Sequence, residues 1–144
     1  MTINIRTKGQ TGEREVAGLL NAVVQKVRQT QGLPPLEDRD LPFQRNQNQS
    51  AVGGDDLTNP FGLAIEVKRQ ETLSINTWWK QCIASAARSN GRPILIYRQN
   101  RKPWRVVMTA PLPITDSKAI GPVQIEVAVE TFLAWFEEYY RTKY

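Results

Sequence analysis

The chain has 144 residues, of which 40% are hydrophobic and 23% charged, and its 19 Lys and Arg against 14 Asp and Glu give a net charge of +5. It has no His and a single Cys, Cys82, which excludes Ser-His-Asp and Cys-His nucleophile activation, imidazole acid–base chemistry, Cys- or His-rich zinc sites and a disulfide framework. An enzyme of this composition works through carboxylates, lysines and a hard metal ion, and a pI near 9.6 suits a polyanionic partner.

The length fits one domain, 1–144, long enough for a hydrophobic core without disulfides or metals as staples. No apolar run approaches the length of a membrane span, and the opening "MTINIRTKGQ" lacks the apolar stretch of a signal peptide, so a cytoplasmic location is expected. From Thr11, a reasonable N-cap, Val16, Leu19, Leu20, Val23, Val24 and Val27 recur at helical spacing up to a stop at Gly32. Glu13 falls on the same stripe, at the head of the core-facing side. A carboxylate there serves either the helix dipole or a site.

A proline- and charge-rich loop (33–42) leads into "FQRNQNQS", a polar strand running into a further loop. "GLAIEVKR" (62–69) reads as a strand. "SINTWWKQCIASAARSNG" gives a second amphipathic helix with Ile75, Trp78, Trp79, Cys82, Ile83 and Ala86 on its stripe, capped by Ser74 or Asn76 and ended by Gly91. "RPILIYR" and "WRVVMTA" form a hairpin across "QNRKP"; then come a proline-rich connector (110–122), the strand "VQIEVAV" and a last helix from about Glu130. On that helix Trp135 and Tyr139 widen the apolar face, which suggests a dimer surface. The expected fold is α/β, with a mixed sheet flanked by helices.

The chemistry concentrates in "GGDDLTNPFGLAIEVKR" (53–69). Strand alternation puts Leu63, Ile65 and Val67 on one face and Ala64, Glu66 and Lys68 on the other. A hairpin centred on Phe61 sets Asp56 opposite Glu66, with Cβ atoms about 4.5–5.5 Å apart. Two like charges at that distance repel unless a divalent cation lies between them, and Mg²⁺ takes one or two carboxylates together with water and phosphate oxygens. Asp55, one residue out of phase, faces away and is the alternate ligand. Asp56 and Glu66 on paired strands, Lys68 two residues on and Glu13 from the first helix thus belong to one place.

These residues resemble the PD-(D/E)XK nuclease motif, with Asp55 where that superfamily often has proline. "KGQTGERE" (8–15) resembles the N-terminal K-G-x-x-x-E-R-E signature of archaeal-type Holliday junction resolvases, and the likeness extends over about residues 8–108. The resemblance implies a restriction-endonuclease-like αβββαβ core, about 8–109, with a C-terminal strand–helix extension over 110–144. It implies Asp56, Glu66 and the Val67 carbonyl as ligands of Mg²⁺ or Mn²⁺, with Glu13 as the helix-borne acid that binds through water or holds a second ion. Lys68 is then the catalytic lysine, and Lys8, Arg14 and Arg45 engage the DNA backbone. It further implies a homodimer that cuts four-way DNA junctions symmetrically.

Arg69, Arg101 and Lys102 extend the basic footprint, with Arg98 and Arg105 crowding the same hairpin; Gln81 is a candidate phosphate contact. Backbone contacts of this kind position DNA without reading its bases. The expected activity is metal-dependent, structure-selective endonuclease cleavage. The alternatives are a repair, restriction-type or end-processing endonuclease of the same superfamily, and a non-catalytic DNA-binding protein.

Overall fold

The apolar stripe of 16–27 lies on a helix longer than the periodicity reveals. In a computed structural model describing residues 5–47 and 55–144, with no side-chain detail for 5–7, helix α1 spans Ile5–Thr30. Thr11, expected as the N-cap, is an exposed residue of its second turn. Residues 5–12 are mostly polar or Gly and leave no stripe to read, yet adding turns to an established helix is far easier than nucleating one. Glu13 is therefore mid-helix rather than a first-turn acid. Gly32 ends α1 as expected: it takes φ +73°, Leu33 N–H reaches the Arg28 carbonyl at 2.9 Å and Gly32 N–H that of Gln29 at 3.0 Å.

After a 3-10 turn at Asp38–Asp40 come strands β1 (Gln44–Arg45), β2 (Leu57–Thr58) and β3 (Leu63–Arg69), helix α2 (Ile75–Ser89), strands β4 (Arg92–Arg98), β5 (Arg105–Thr115) and β6 (Lys118–Ala128), and helix α3 (Val129–Lys143). The loop expected beyond Gln47 lies outside the described residues. The sheet runs β1-β2-β3-β4-β5-β6, antiparallel throughout except for the parallel β3–β4 pair, which α2 connects. This is the expected α/β fold with a mixed sheet and a C-terminal strand and helix.

Helices cover both faces. On one side α1 and α3 bury Val16, Leu20, Val24, Phe132 and Phe136 against Leu63, Ile65, Val67, Ile94, Ile96 and Val106. On the other, α2 lays Trp78, Trp79 and Cys82 over Leu95, Tyr97 and Val107. Central β4 is thus apolar on both faces, and Ile94, Leu95, Ile96 and Tyr97 are all buried. Trp78 and Trp79 are core residues. Ile83 is not: it is 45% exposed, because α2 rests on the sheet through Trp78, Trp79, Cys82, Ser85 and Ala86. Asn90, at φ 54°, supplies the left-handed residue after α2 in place of Gly91, and Ser74 occupies the N-cap position without a side-chain bond.

The connector expected over 110–122 is a continuation of the sheet. β5 and β6 run on as a hairpin closed at Thr115–Lys118, well past Leu95↔Val107, the last β4–β5 pairing in that direction. Pro111 and Pro113 are tolerated because, among the described residues, β5 has no neighbour on its other side there and because its register shifts across Pro111 and again just after Pro113. Trp135 and Tyr139, expected as a dimer face, are half-buried and make contacts within the chain. Their rings stack 4.9 Å apart, Arg92 lies over both, and the Tyr139 hydroxyl donates to the Phe61 carbonyl at 2.7 Å. Among the described residues no helix is long and apolar enough to cross a membrane.

Candidate active site

Residues 59–62 set the register on which the site depends. Asn59 Oδ1 accepts the Phe61 N–H at 3.0 Å, Asn59 Nδ2 donates to the Leu63 carbonyl at 2.8 Å, and Gly62 takes φ +74°. Phe61 plugs into an aromatic cluster, with centroids 5.3 Å from Phe43, 5.6 Å from Phe136 and 5.7 Å from Tyr140. α3 therefore anchors the turn joining the two acidic strands. β2 pairs with β3 through Leu57↔Ile65, which places Asp56 opposite Glu66, as the hairpin centred on Phe61 predicts.

The Asp56 main chain donates to the Ile65 carbonyl at 2.9 Å, and its Oδ2 accepts the Val67 N–H at 2.7 Å. The Asp56 and Glu66 carboxyls lie close enough to titrate as a pair, each acting on the other's proton affinity. Burial pushes Glu66 up to about 8, and the Asp56 charge adds to the shift. Burial likewise pushes Asp56 up to about 6, against the pull of the Val67 N–H. The Lys68 ammonium draws both down and is the cation placed to favour their ionised forms.

Beside this pair opens a cleft of about 450 Å³, lined by Gln10, Glu13, Arg45, Asp56, Val67, Lys68 and Arg69 among others. Glu66 is not among the residues that line it, although Lys68, two residues along the same strand face, is. Glu13 comes from α1, is 7% exposed and holds the Arg45 Nε at 2.7 Å. Its charge raises the Asp56 carboxyl. The first helix and the acidic hairpin thus meet at one cleft.

Asp55 points elsewhere. Its Oδ1 accepts the Ser85 hydroxyl of α2 at 2.9 Å, and burial still leaves its carboxyl above the usual range. Arg14 is exposed and lines a neighbouring cleft that shares Arg45; Lys8 is half-exposed on α1. Arg101 and Lys102 are exposed on the β4–β5 turn. Because β3 and β4 are parallel, that turn lies at the same end of the sheet as Lys68 and Arg69. Gln81 is exposed on α2 and is not brought to the cleft.

Two residues that hold the site, Asn46 and Ser85, were not assigned to it from the sequence pattern. Asn46 donates from Nδ2 to the Asp55 carbonyl and from its main chain to that of Asp56, both at 2.9 Å. Nothing in a polar stretch distinguishes that asparagine. Ser85 did carry a signal: it lies three and seven residues after Cys82 and Trp78, which puts a hydroxyl on the buried stripe of α2.

Among the described residues no three Asp, Glu, His or Cys side chains converge into a cage for an ion. One carboxylate pair beside an open cleft instead fits a hard ion such as Mg²⁺, which keeps several waters and completes its shell with phosphate oxygens.

A family model described as "Phage putative PDDEXK endonuclease" matches residues 4–131. No curated protein matches the sequence.

Proposed function

The chain belongs to this phage PDDEXK endonuclease family, a nuclease family with DNA as substrate, and from that premise we propose a Mg²⁺-dependent enzyme that hydrolyses phosphodiesters in branched DNA, four-way junctions above all, as a homodimer. The observation that carries the catalytic part is the carboxylate pair. Holding Asp56 and Glu66 against each other in a half-buried position is costly in a purely structural or DNA-binding role, and becomes favourable once a cation is bound between them.

Asp56 and Glu66 would hold the ion, with the Val67 carbonyl as a further donor. Glu13 would act through water or hold a second ion, with Arg45 as the counter-ion of that acid. Mg²⁺ bound there, or Mn²⁺ in its place, supplies Lewis-acid polarisation of the scissile phosphate and a water of lowered pKa. Lys68 orients the attacking water and stabilises charge growing on the phosphate. Arg69 beside it, Lys8 and Arg14 along α1, and Arg101 and Lys102 on the β4–β5 turn contact the flanking backbone, which gives position rather than sequence readout.

The junction reading rests on the "KGQTGERE" signature, which runs along α1 to Glu13 at the cleft. Its test compares a labelled four-way junction with linear duplexes of the same arm sequences under Mg²⁺. Preferential, paired cutting of the junction is expected. Equal rates would move the assignment to a repair, restriction-type or end-processing endonuclease.

A further inference from the structure

Asp55 stands where the resembled motif often has proline, and it does not face the cleft with Asp56. Its carboxylate takes the Ser85 hydroxyl at 2.9 Å. Ser85 itself is only 4% exposed, and Arg88, three residues further along α2, adds its charge to the same carboxylate. The Asp55 carbonyl takes the Asn46 side-chain amide, so this residue is held from the helix on one side and from the residue just after β1 on the other. The next residue is Asp56, whose own carboxylate is fixed by the Val67 N–H at 2.7 Å.

We infer that Asp55, Ser85 and Asn46 form a positioning clamp, in which α2 and the residue just after the edge strand hold the chain at Asp55 so that the Asp56 carboxylate is presented ready-made to the metal. This rests on the proposed metal-dependent cleavage and assigns the clamp residues no contact with metal or DNA. The physical reason is the place of Asp56 in the sheet. Regular β2 comprises only Leu57–Thr58, and the last cross-strand bonds are those of the Asp56 main chain to Ile65 and Asn46, so the clamp orders the chain just beyond the end of the ladder. A site whose ligands are fixed beforehand loses less freedom on binding than one whose ligands must be ordered then.

The test uses the full chain with Ser85→Ala, Asp55→Ala and Asp55→Asn, the last retaining an oxygen that can accept from Ser85. The first readout is metal-free: hydrogen exchange at the Val67 amide. We expect Ser85→Ala and Asp55→Ala to lose at least about tenfold in protection at Val67 while the β3–β4 amides keep theirs, and Asp55→Asn to remain close to wild type. The second is cleavage. The two alanine variants should raise the Mg²⁺ concentration for half-maximal rate and lower kcat, with KM for DNA unchanged. Wild type and Glu66→Gln run alongside. If wild type does not cut, or Glu66→Gln cuts as well, the nuclease site itself is wrong whatever the clamp does. If those controls behave and Ser85→Ala matches wild type in Val67 protection and in Mg²⁺ dependence, the clamp is refuted alone. If Asp55→Asn loses cleavage as fully as Asp55→Ala while Val67 stays protected, Asp55 acts through its charge and the positioning role is overturned.

Discussion

Replacing Glu66 by Gln removes one of two carboxyls that folding presses together, so the metal-free protein should gain stability at alkaline pH from a change that abolishes cleavage. Folding raises the Glu66 carboxyl from 4.5 to about 8, so the folded state binds its proton more tightly than the unfolded chain does. Below about pH 4.5 both states are protonated and there is no penalty. As pH rises from there to about 8 the unfolded chain releases the proton while the folded one retains it, and stability falls; above about 8 the loss is complete. At about 1.4 kcal/mol per pKa unit the ceiling is about 5 kcal/mol. Glu66 is only partly buried, and solvent screening brings this to about 2 kcal/mol. For a chain of this size about 2 kcal/mol corresponds to about 4–8 °C in Tm. Melting curves of wild type and Glu66→Gln at pH 5.5 and 8.5 in EDTA should therefore diverge by that amount, with the variant the more stable at pH 8.5. Adding Mg²⁺ at tenfold its dissociation constant should restore about 1.4 kcal/mol to wild type and nothing to the variant. Parallel Tm curves for the two proteins across this pH range would refute the strained-pair reasoning.

Arg45→Ala takes away the guanidinium 2.7 Å from the buried Glu13; urea melts should show a loss of about 2–3 kcal/mol, most of it recovered by adding Glu13→Gln. Lys68→Met should lower kcat by about 100-fold or more with junction affinity intact, measured by single-turnover cleavage alongside gel shifts in Ca²⁺. The double change Arg101→Glu with Lys102→Glu should weaken binding of every DNA tested and reduce the slope of log K against log salt by about 2, read by fluorescence anisotropy at several salt concentrations.

The acidic hairpin was legible because its determinants are local. Alternation over residues 63–68 assigns the faces, and a turn centred on Phe61 fixes which residue opposes which, so Asp56 could be placed against Glu66 by counting. The polar first turns of α1 were not legible, since residues 5–12 carry no apolar period even though their backbone is helical. The β5–β6 arm was hidden by Pro111, Pro113 and Pro122, which read as a connector until one sees that β4 stops short and leaves Pro111 and Pro113 without a neighbour on that side among the described residues. Two contacts escaped for a different reason. Arg45 meets Glu13 and Ser85 meets Asp55 across sequence separations of 32 and 30 residues, and such pairings exist only once the helices lie on the sheet. The partners of Trp135 and Tyr139 within the chain, Arg92 and the Phe61 carbonyl, were hidden for the same reason.

The most direct measurement titrates Mg²⁺ into wild type and Glu66→Gln with a labelled four-way junction and follows strand cleavage. Wild type should cut only with the metal, with a saturable dependence on its concentration, while Glu66→Gln stays inactive with its fold intact by circular dichroism. Cleavage by wild type in EDTA, or equal cleavage by the two proteins in Mg²⁺, would contradict a metal site built on Asp56 and Glu66.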